Sequence, residues 1–573
     1  MGRSNKWLWA GLGVLGGAAL GYVKRREVMA QFFGLPKPRY GVWRVPDLRV
    51  GMRDGVTLST DHFWPTVKGK LVQEPGATVL IRTPYGKDSM QMFAQMFVGQ
   101  GYHVLIQDVR GQFASGGVFD AMVNEADDGA DTVAWLREQS WSNGKVGMWG
   151  PSYLTFSQWA VVAGGEQLDA MFVMLGASQL TSLIQIEGTL ALDLIVRWYF
   201  LLNELKRRKG QLSRLWMLSA QYQKRILEPV FAEPALMEAD KLFPTPILPA
   251  YRQRFDRIGA DHPYWEEIDH RPIVPEAKGA VHMMTGWYDI FLREVLSDYA
   301  QLRAAGQKPP LVIGPWHHTA GEQMSMGLRL ALDWFDEHLR GGEPKVTSEA
   351  RVYVMGDNAW RTFESWPPPA EEKGFYLQPG GGLAEGPSLS LASPSRYRYD
   401  PADPTPAVGG TMLLMPTGPQ DNRELEARDD VLSFTSGVLV APLTVIGHVR
   451  LVLYVRSSRP YTDFTGRLCV VKEDGRSINL CDGLFSVKPG KGEGQGDGSL
   501  RVEIDMWATA VTFQVGERIR LQVSSGMHPR YIRNPGTGES PLRLKRMEVA
   551  EQTVYHDEGR PSVLYLPVVD DSS

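Results

Sequence analysis

The sequence predicts an α/β domain with a mostly parallel sheet, interrupted by a helical insertion and followed by an all-β domain. Three observations carry this. Apolar runs of strand length alternate with helix-like stretches over the first third of the chain. The strand signal disappears between about residues 181 and 271 and then resumes. From about Ala350 onward, short strand-like runs separated by turn clusters continue to the end. With 573 residues, several domains of ordinary size are expected.

Each element follows from its own residues. A Pro-containing linker near Leu35 to Pro38 precedes a hairpin over Leu48 to Trp64 that turns at Asp54-Gly55. Thr78 to Arg82 and Tyr102 to Asp108 are strands of the fully buried type, separated by a helix over Ser89 to Gly101. Glu125 to Gln139 is an amphipathic helix, and Lys145 to Trp149 is another buried strand. This alternation implies a sheet covered on both faces. Ala280 to Met284 and Pro310 to Ile313 resume it after the insertion. The runs Phe375 to Leu377, Thr411 to Leu414, His448 to Tyr454, Arg467 to Val471 and Arg518 to Val523 have the spacing of a sandwich or jelly roll. The expected divisions are 1–34 for an apolar N-terminal segment, 35–180 and 272–348 for the two parts of the α/β domain, 181–271 for the helical cap, and 349–573 for the jelly roll.

Composition narrows the function. The chain is 43% hydrophobic and 22% charged, in the range of folded globular proteins, not of disordered or polytopic membrane proteins. Its 61 basic residues against 65 acidic ones leave no positive excess to attract nucleic acid. Only Cys469 and Cys481 are present, which excludes a zinc site built from several cysteines. Two buried free thiols are the expectation, and the alternative is a disulfide, since a three-residue loop centred on Gly475 would put the two sulfurs opposite each other.

The 17 residues Trp7 to Val23 are uncharged, with Arg3 and Lys6 before them and Lys24-Arg25-Arg26 after. As a helix they span about 25 Å, the short end for a bilayer. Gly13, Gly17 and Gly21 would smooth one face for helix pairing and so for a homo-oligomer. An uncleaved membrane anchor is the expectation, with its orientation undetermined by the flanking charge. A signal peptide releasing a secreted or periplasmic protein is the alternative, and a helix buried in the core is the bland reading.

The chemistry concentrates at Val146 to Trp159, where a buried strand, a sharp turn carrying Ser152 and a helix follow one another. That arrangement lifts a serine hydroxyl above a sheet edge and brings the Tyr153 N–H, at a helix N-terminus, to an oxyanion. Leu154 stands where the second glycine of G-x-S-x-G would be, and an ordinary helix-capping turn is the competing account. A serine needs a base. His317-His318 lies just past one apolar strand and Asp289 just past another, so Ser, Asp and His occur in the order of α/β-hydrolases. Spacing alone does not choose between the two histidines.

These segments resemble the cocaine-esterase-like serine hydrolases, related to the X-prolyl dipeptidyl aminopeptidases, acylases and α-amino-acid ester hydrolases. The resemblance rests on Arg82-Thr-Pro-Tyr-Gly-Lys87, Asp108-Val-Arg-Gly111, Asn124 to Gly129, Trp141-Ser-Asn-Gly144, Gly147 to Tyr153, Gly286-Trp-Tyr-Asp289, Gly314-Pro-Trp-His-His318, Thr462-Asp-Phe464 and Arg533-Asn-Pro535, in collinear order. It implies an α/β-hydrolase with an inserted cap and a C-terminal jelly roll. It implies Ser152 as nucleophile, Asp289 as acid, His318 as base, and Tyr85 beside Tyr153 in the oxyanion hole. Pocket walls are expected from Trp198, Tyr199, Phe200 and Phe291. Thr155 departs from the small residue expected behind the elbow. The implied activity is hydrolysis of a small carboxylic ester without metal or organic cofactor. The alternatives are an amide-cleaving relative and a catalytically silent fold that binds a partner.

Overall fold

The computed structural model describes residues 22–208, 219–243, 249–259, 262–388 and 393–570. The expected span Trp7 to Val23 lies almost wholly outside them. Among the described residues no helix is long and apolar enough to cross a membrane, so the anchor finds no support there. The first described helix, α1 (Tyr22–Phe32), carries the sequence YVKRREVMAQF and is far too polar for a bilayer. It packs on the protein instead, with Ala30, Phe33 and Leu35 buried in the main core.

The first sheet contains strands β1 (Gly41–Gly51), β2 (Thr57–Val67), β3 (Gly76–Thr83), β4 (His103–Asp108), β5 (Ser142–Pro151), β6 (Ala170–Met174), β7 (Ala280–Tyr288), β8 (Leu311–His317), β9 (Ala350–Val354) and β10 (Ala359–Phe363). Their spatial order is β1-β2-β4-β3-β5-β6-β7-β8-β9-β10, with Lys70–Leu71 added beside β2. From β4 to β9 every neighbouring pair is parallel. Such strands are covered on both faces, which is why all six residues of β4 and all five of β6 are buried. Helices α2 (Lys87–Gly99), α3 (Glu125–Arg137) and α4 (Tyr153–Ala163) supply part of that cover.

Strand β6 is absent from the sequence reading. Strands β9 and β10 fall in the region assigned to the C-terminal domain. They nevertheless continue the first sheet, β9 parallel to β8 and β10 antiparallel to β9.

The insertion after β6 is helical, as expected, and includes α5 (Leu192–Arg207), α6 (Ala220–Ala232) and α7 (Ala250–Asp256). Helix α5 is amphipathic, with Asp193 in its first turn and Lys206 and Arg207 in its last, each complementing the helix dipole. The two short strands Gln185–Ile186 and Thr189–Leu190 form a hairpin at the cap's base. The chain returns to the sheet through β7 and β8, followed by α8 (Leu292–Ala304) and α9 (Gly321–Arg340).

Beyond this lies a twelve-stranded, largely antiparallel sheet with its own apolar core. Leu451 and Ile504, on paired strands, meet Phe464 and Leu521, on another pair, in that core, although the two pairs lie far apart in the pairing order. The sheet therefore folds back on itself. Its longest pairing joins β11 (Leu443–Ser457) to β14 (Leu500–Phe513). Between them, β12 (Thr462–Val471), with Cys469, pairs with β13 (Ser477–Val487), with Cys481.

The register of that hairpin decides between the two readings of the cysteines. Val471 pairs with Ser477 and Lys472 N donates to Arg476 O at 2.9 Å, so the loop is Glu473-Asp474-Gly475, centred on Asp474. Gly475 takes the last loop position with φ 82°, where a three-residue hairpin loop needs its left-handed residue. Cys469 is consequently opposite Asn479 and, past a bulge, Cys481 is opposite Leu468. Both are buried free thiols.

Candidate active site

Ser152, Asp289 and His318 each follow the C-terminal end of a parallel strand: β5, β7 and β8. This is the edge of an open α/β sheet where ligands bind. Ser152 has φ 62° and ψ −126°, a conformation that strains an L-residue by about 1–3 kcal/mol. The turn is possible because Gly150, at φ 145°, has no side chain; a Cβ there would sit 2.4 Å from Leu154 Cδ2. Ser152 N donates to Met174 O at 3.1 Å and Leu175 O at 3.0 Å, tying the turn to the end of β6.

Thr155 explains how the elbow closes without the expected small residue. Its buried hydroxyl bridges Gly150 O at 2.9 Å and Met174 O at 2.9 Å and accepts from Met174 N at 2.9 Å. The small residue has moved across the turn. At Gly176 an added Cβ would lie 2.5 Å from Ser152 O and 2.7 Å from Thr155 Cβ.

The geometry distinguishes the adjacent histidines. His318 Nδ1 lies 2.8 Å from Asp289 Oδ2, whereas His317 Nδ1 faces the Thr319 hydroxyl at 3.3 Å. Asp289 is fully buried, and its other oxygen accepts from Phe291 N at 2.8 Å. With both oxygens engaged, the carboxylate is fixed in the orientation that holds Nδ1–H and leaves His318 Nε2 as the basic nitrogen. Gln323 Nε2 donates to His318 O at 2.8 Å and steadies the loop.

Tyr85 enters from the loop after β3. Its N–H donates to Thr83 Oγ1 at 3.1 Å, and the next turn is pinned by Lys87 N on Asp108 Oδ1 at 2.7 Å. The Lys87 ammonium reaches Asp47 and Ser59, each at 2.6 Å. The Tyr85 hydroxyl lies close enough to the Ser152 side chain to be influenced by it, and the Trp198 indole N–H donates to it at 3.2 Å. Burial raises the phenol above its ordinary pKa, so it remains a proton donor. Tyr153 contributes differently: its hydroxyl donates to Glu125 Oε1 at 2.8 Å, and its ring stacks with Trp198 at 6.1 Å. This anchoring holds the start of α4, where the Tyr153 N–H lacks an intrahelical acceptor.

Ser152 opens onto an apolar pocket between the sheet edge, the cap and the β domain. Trp198 and Tyr199 line it from α5, Phe291 from beside Asp289, and Leu413 from the β domain. Phe200, expected with them, does not. One residue further round the helix, it packs toward Phe243 and Tyr222 inside the cap; Leu194, Ile195, Trp198 and Tyr199 form the pocket face by helical spacing. Arg254 and Leu413 were missed by sequence reasoning. Nothing local marks them, since an arginine on a short helix is ordinarily exposed.

Residues 54–320 match the X-Pro dipeptidyl-peptidase (S15) family, and residues 344–565 match the X-Pro dipeptidyl-peptidase C-terminal non-catalytic domain. The second match begins before β9, so that unit lends two strands to the first sheet. Cocaine esterase from Rhodococcus sp. strain MB1 Bresler is 32% identical over 587 aligned residues, covering 91% of this chain and 98% of its own. An aminopeptidase from a marine sediment Thaumarchaeota archaeon superposes with TM-score 0.78 at 20% identity, covering 93% of this chain and 98% of the other. An α-amino acid ester hydrolase superposes with TM-score 0.74 at 22% identity and the same coverage. At those identities the two structures establish the shared fold alone.

Proposed function

Because the chain belongs to the cocaine-esterase-like serine hydrolases of the X-Pro dipeptidyl-peptidase (S15) family, enzymes acting on ester or amide bonds, we propose that it hydrolyses carboxylic esters through an acyl-enzyme on Ser152. His318 Nε2 takes the serine proton as Oγ attacks the carbonyl carbon. The Tyr85 hydroxyl and the Tyr153 N–H receive the oxyanion. His318 then returns the proton to the departing alkoxide and activates water for deacylation, while Asp289 holds the imidazole and stabilises its charged form.

The observation that carries this reading is the Asp289–His318 pair at 2.8 Å on the same sheet edge as a strained serine that lines an apolar pocket. The choice of ester over Xaa-Pro dipeptide release rests on charge. Release of a dipeptide requires a carboxylate to receive the substrate's free ammonium. Among the described residues lining the pocket, the one charged side chain is Arg254, a cation. The identity to cocaine esterase points the same way.

The test is pre-steady-state release of p-nitrophenol from a short acyl ester by the wild type and Ser152→Ala, alongside a matched Xaa-Pro anilide. A burst confined to the wild type, with the ester far outpacing the anilide, is expected. A burst that survives in Ser152→Ala removes the nucleophile assignment, and a faster anilide reverses the preference.

A further inference from the structure

Arg254 is 2% exposed and lines the pocket that contains Ser152. A buried guanidinium keeps its charge and is normally paired, because an uncompensated buried ion is costly. Among the described residues no carboxylate pairs with Arg254. Asp120, which is close enough to influence Tyr264, is held by both terminal nitrogens of Arg257, at 2.6 and 2.7 Å.

The contacts that Arg254 does make are weak or aromatic. Nε donates to the Tyr199 hydroxyl at 3.4 Å, Nη2 meets the Met122 sulfur at 3.9 Å, and Nη1 has no partner. The rings of Tyr264 and Trp265 lie 4.6 and 5.3 Å from its central carbon. The aromatic faces offset part of the desolvation of the cation. They leave Nη1, on the guanidinium edge that binds a carboxylate, without an acceptor oxygen. Tyr199, which accepts from Nε, keeps its own O–H available on the same side of the pocket.

We propose that Arg254 binds a carboxylate carried by the substrate limb lying in the apolar pocket, so that the enzyme favours esters with an anionic group at a fixed distance from the scissile carbonyl. This rests on the Ser152 esterase reading and adds its substrate class. The pocket supplies the order such a limb needs: the reacting serine, an aliphatic and aromatic wall, and a buried cation. A limb with a neutral end would leave Nη1 unsatisfied, and a limb ending in an ammonium would meet like charge.

The test compares mono-p-nitrophenyl esters of dicarboxylic acids from succinate to suberate with p-nitrophenyl alkanoates of equal length. A second series places the carboxylate on the alcohol limb, as acetate esters of ω-hydroxy acids followed by pH-stat. At one chain length the anionic ester is expected to have a kcat/KM about tenfold or more above its neutral partner. In Arg254→Gln that ratio falls to one or below, mainly through KM; a purely structural role would lower both members together and leave the ratio unchanged. Wild-type measurements alone also decide. Free alkanoates should inhibit turnover of p-nitrophenyl butyrate competitively, and alkylammonium ions of equal length should not. A ratio near one at every length in both series, or equal inhibition by the two ions, overturns the proposal even if Arg254→Gln fails to fold. Loss of p-nitrophenyl butyrate turnover in the wild type would instead overturn the esterase reading itself.

Discussion

The indole N–H of Trp198, on the cap, donates to the phenol oxygen of Tyr85, on the sheet-edge loop, at 3.2 Å. Trp198 thus occupies a lone pair of the hydroxyl that lies near the Ser152 side chain. Cap placement is thereby coupled to the proposed oxyanion site. Tyr85→Phe is expected to lower kcat about a hundred- to thousandfold. Trp198→Phe preserves an aromatic wall but removes the donor, and should lower kcat about three- to tenfold with little change in KM. In a double-mutant cycle, Trp198→Phe should have no further effect on kcat once Tyr85 is Phe; additive losses would show that Trp198 acts elsewhere.

Asp289 accepts from Phe291 N and faces His318 Nδ1. Asp289→Asn preserves the shape but presents an amide donor to the ring, favouring the wrong tautomer. A loss of kcat on the order of ten-thousandfold is expected, with the thermal midpoint nearly unchanged. A variant retaining a tenth of wild-type turnover would contradict the assigned role.

The exchange of sizes between Thr155 and Gly176 gives a stability prediction. Gly176→Ala forces Ser152 O and Thr155 Cβ away from contacts of 2.5 and 2.7 Å. It should cost about 1–3 kcal/mol in urea unfolding and at least tenfold in kcat, because the nucleophile moves with its backbone. Thr155→Val keeps the volume but strands the Met174 N–H, a loss of roughly 1–3 kcal/mol. Wild-type stability in both variants would mean the elbow is less tightly packed than described.

Acid sensitivity should arise at a buried histidine pair far from the chemistry. His62 Nε2 and His103 Nδ1 are 3.0 Å apart and pack on Trp141. Burial, reinforced by charge between the rings at His62, lowers their pKa values from 6.5 to about 3 and about 4. The unfolded chain therefore binds protons first, and this contribution to stability, complete above pH 6.5, is lost as pH falls toward 4. Asp298, raised to about 7 by burial, has the opposite slope in that window, so the comparison must be with a variant. The thermal midpoint of His103→Gln should fall less between pH 7 and 5 than that of the wild type; parallel curves would exclude the pair as the source.

The sequence alone determined the features that are local in the chain. A buried strand, a Gly-Pro-Ser turn and a helix start lie within 14 residues around Ser152, and Asp289 and His318 each follow an apolar strand, so their common edge is legible from the order of residues. Tertiary structure decided whatever depends on helical phase, register or distant partners. Phe200 turned into the cap while Trp198 faced the pocket, because positions two apart on a helix point about 200° from each other. Cys469 and Cys481 missed each other because Gly475 ended its loop instead of centring it. Spacing did not separate His318 from His317; the family resemblance did, and the contact that distinguishes them is 2.8 Å to a residue 29 positions earlier. The unpaired Arg254 charge had no signature in its neighbours at all, since burial and the absence of a counter-ion are properties of the packed molecule, set by which side chains the fold brings around it.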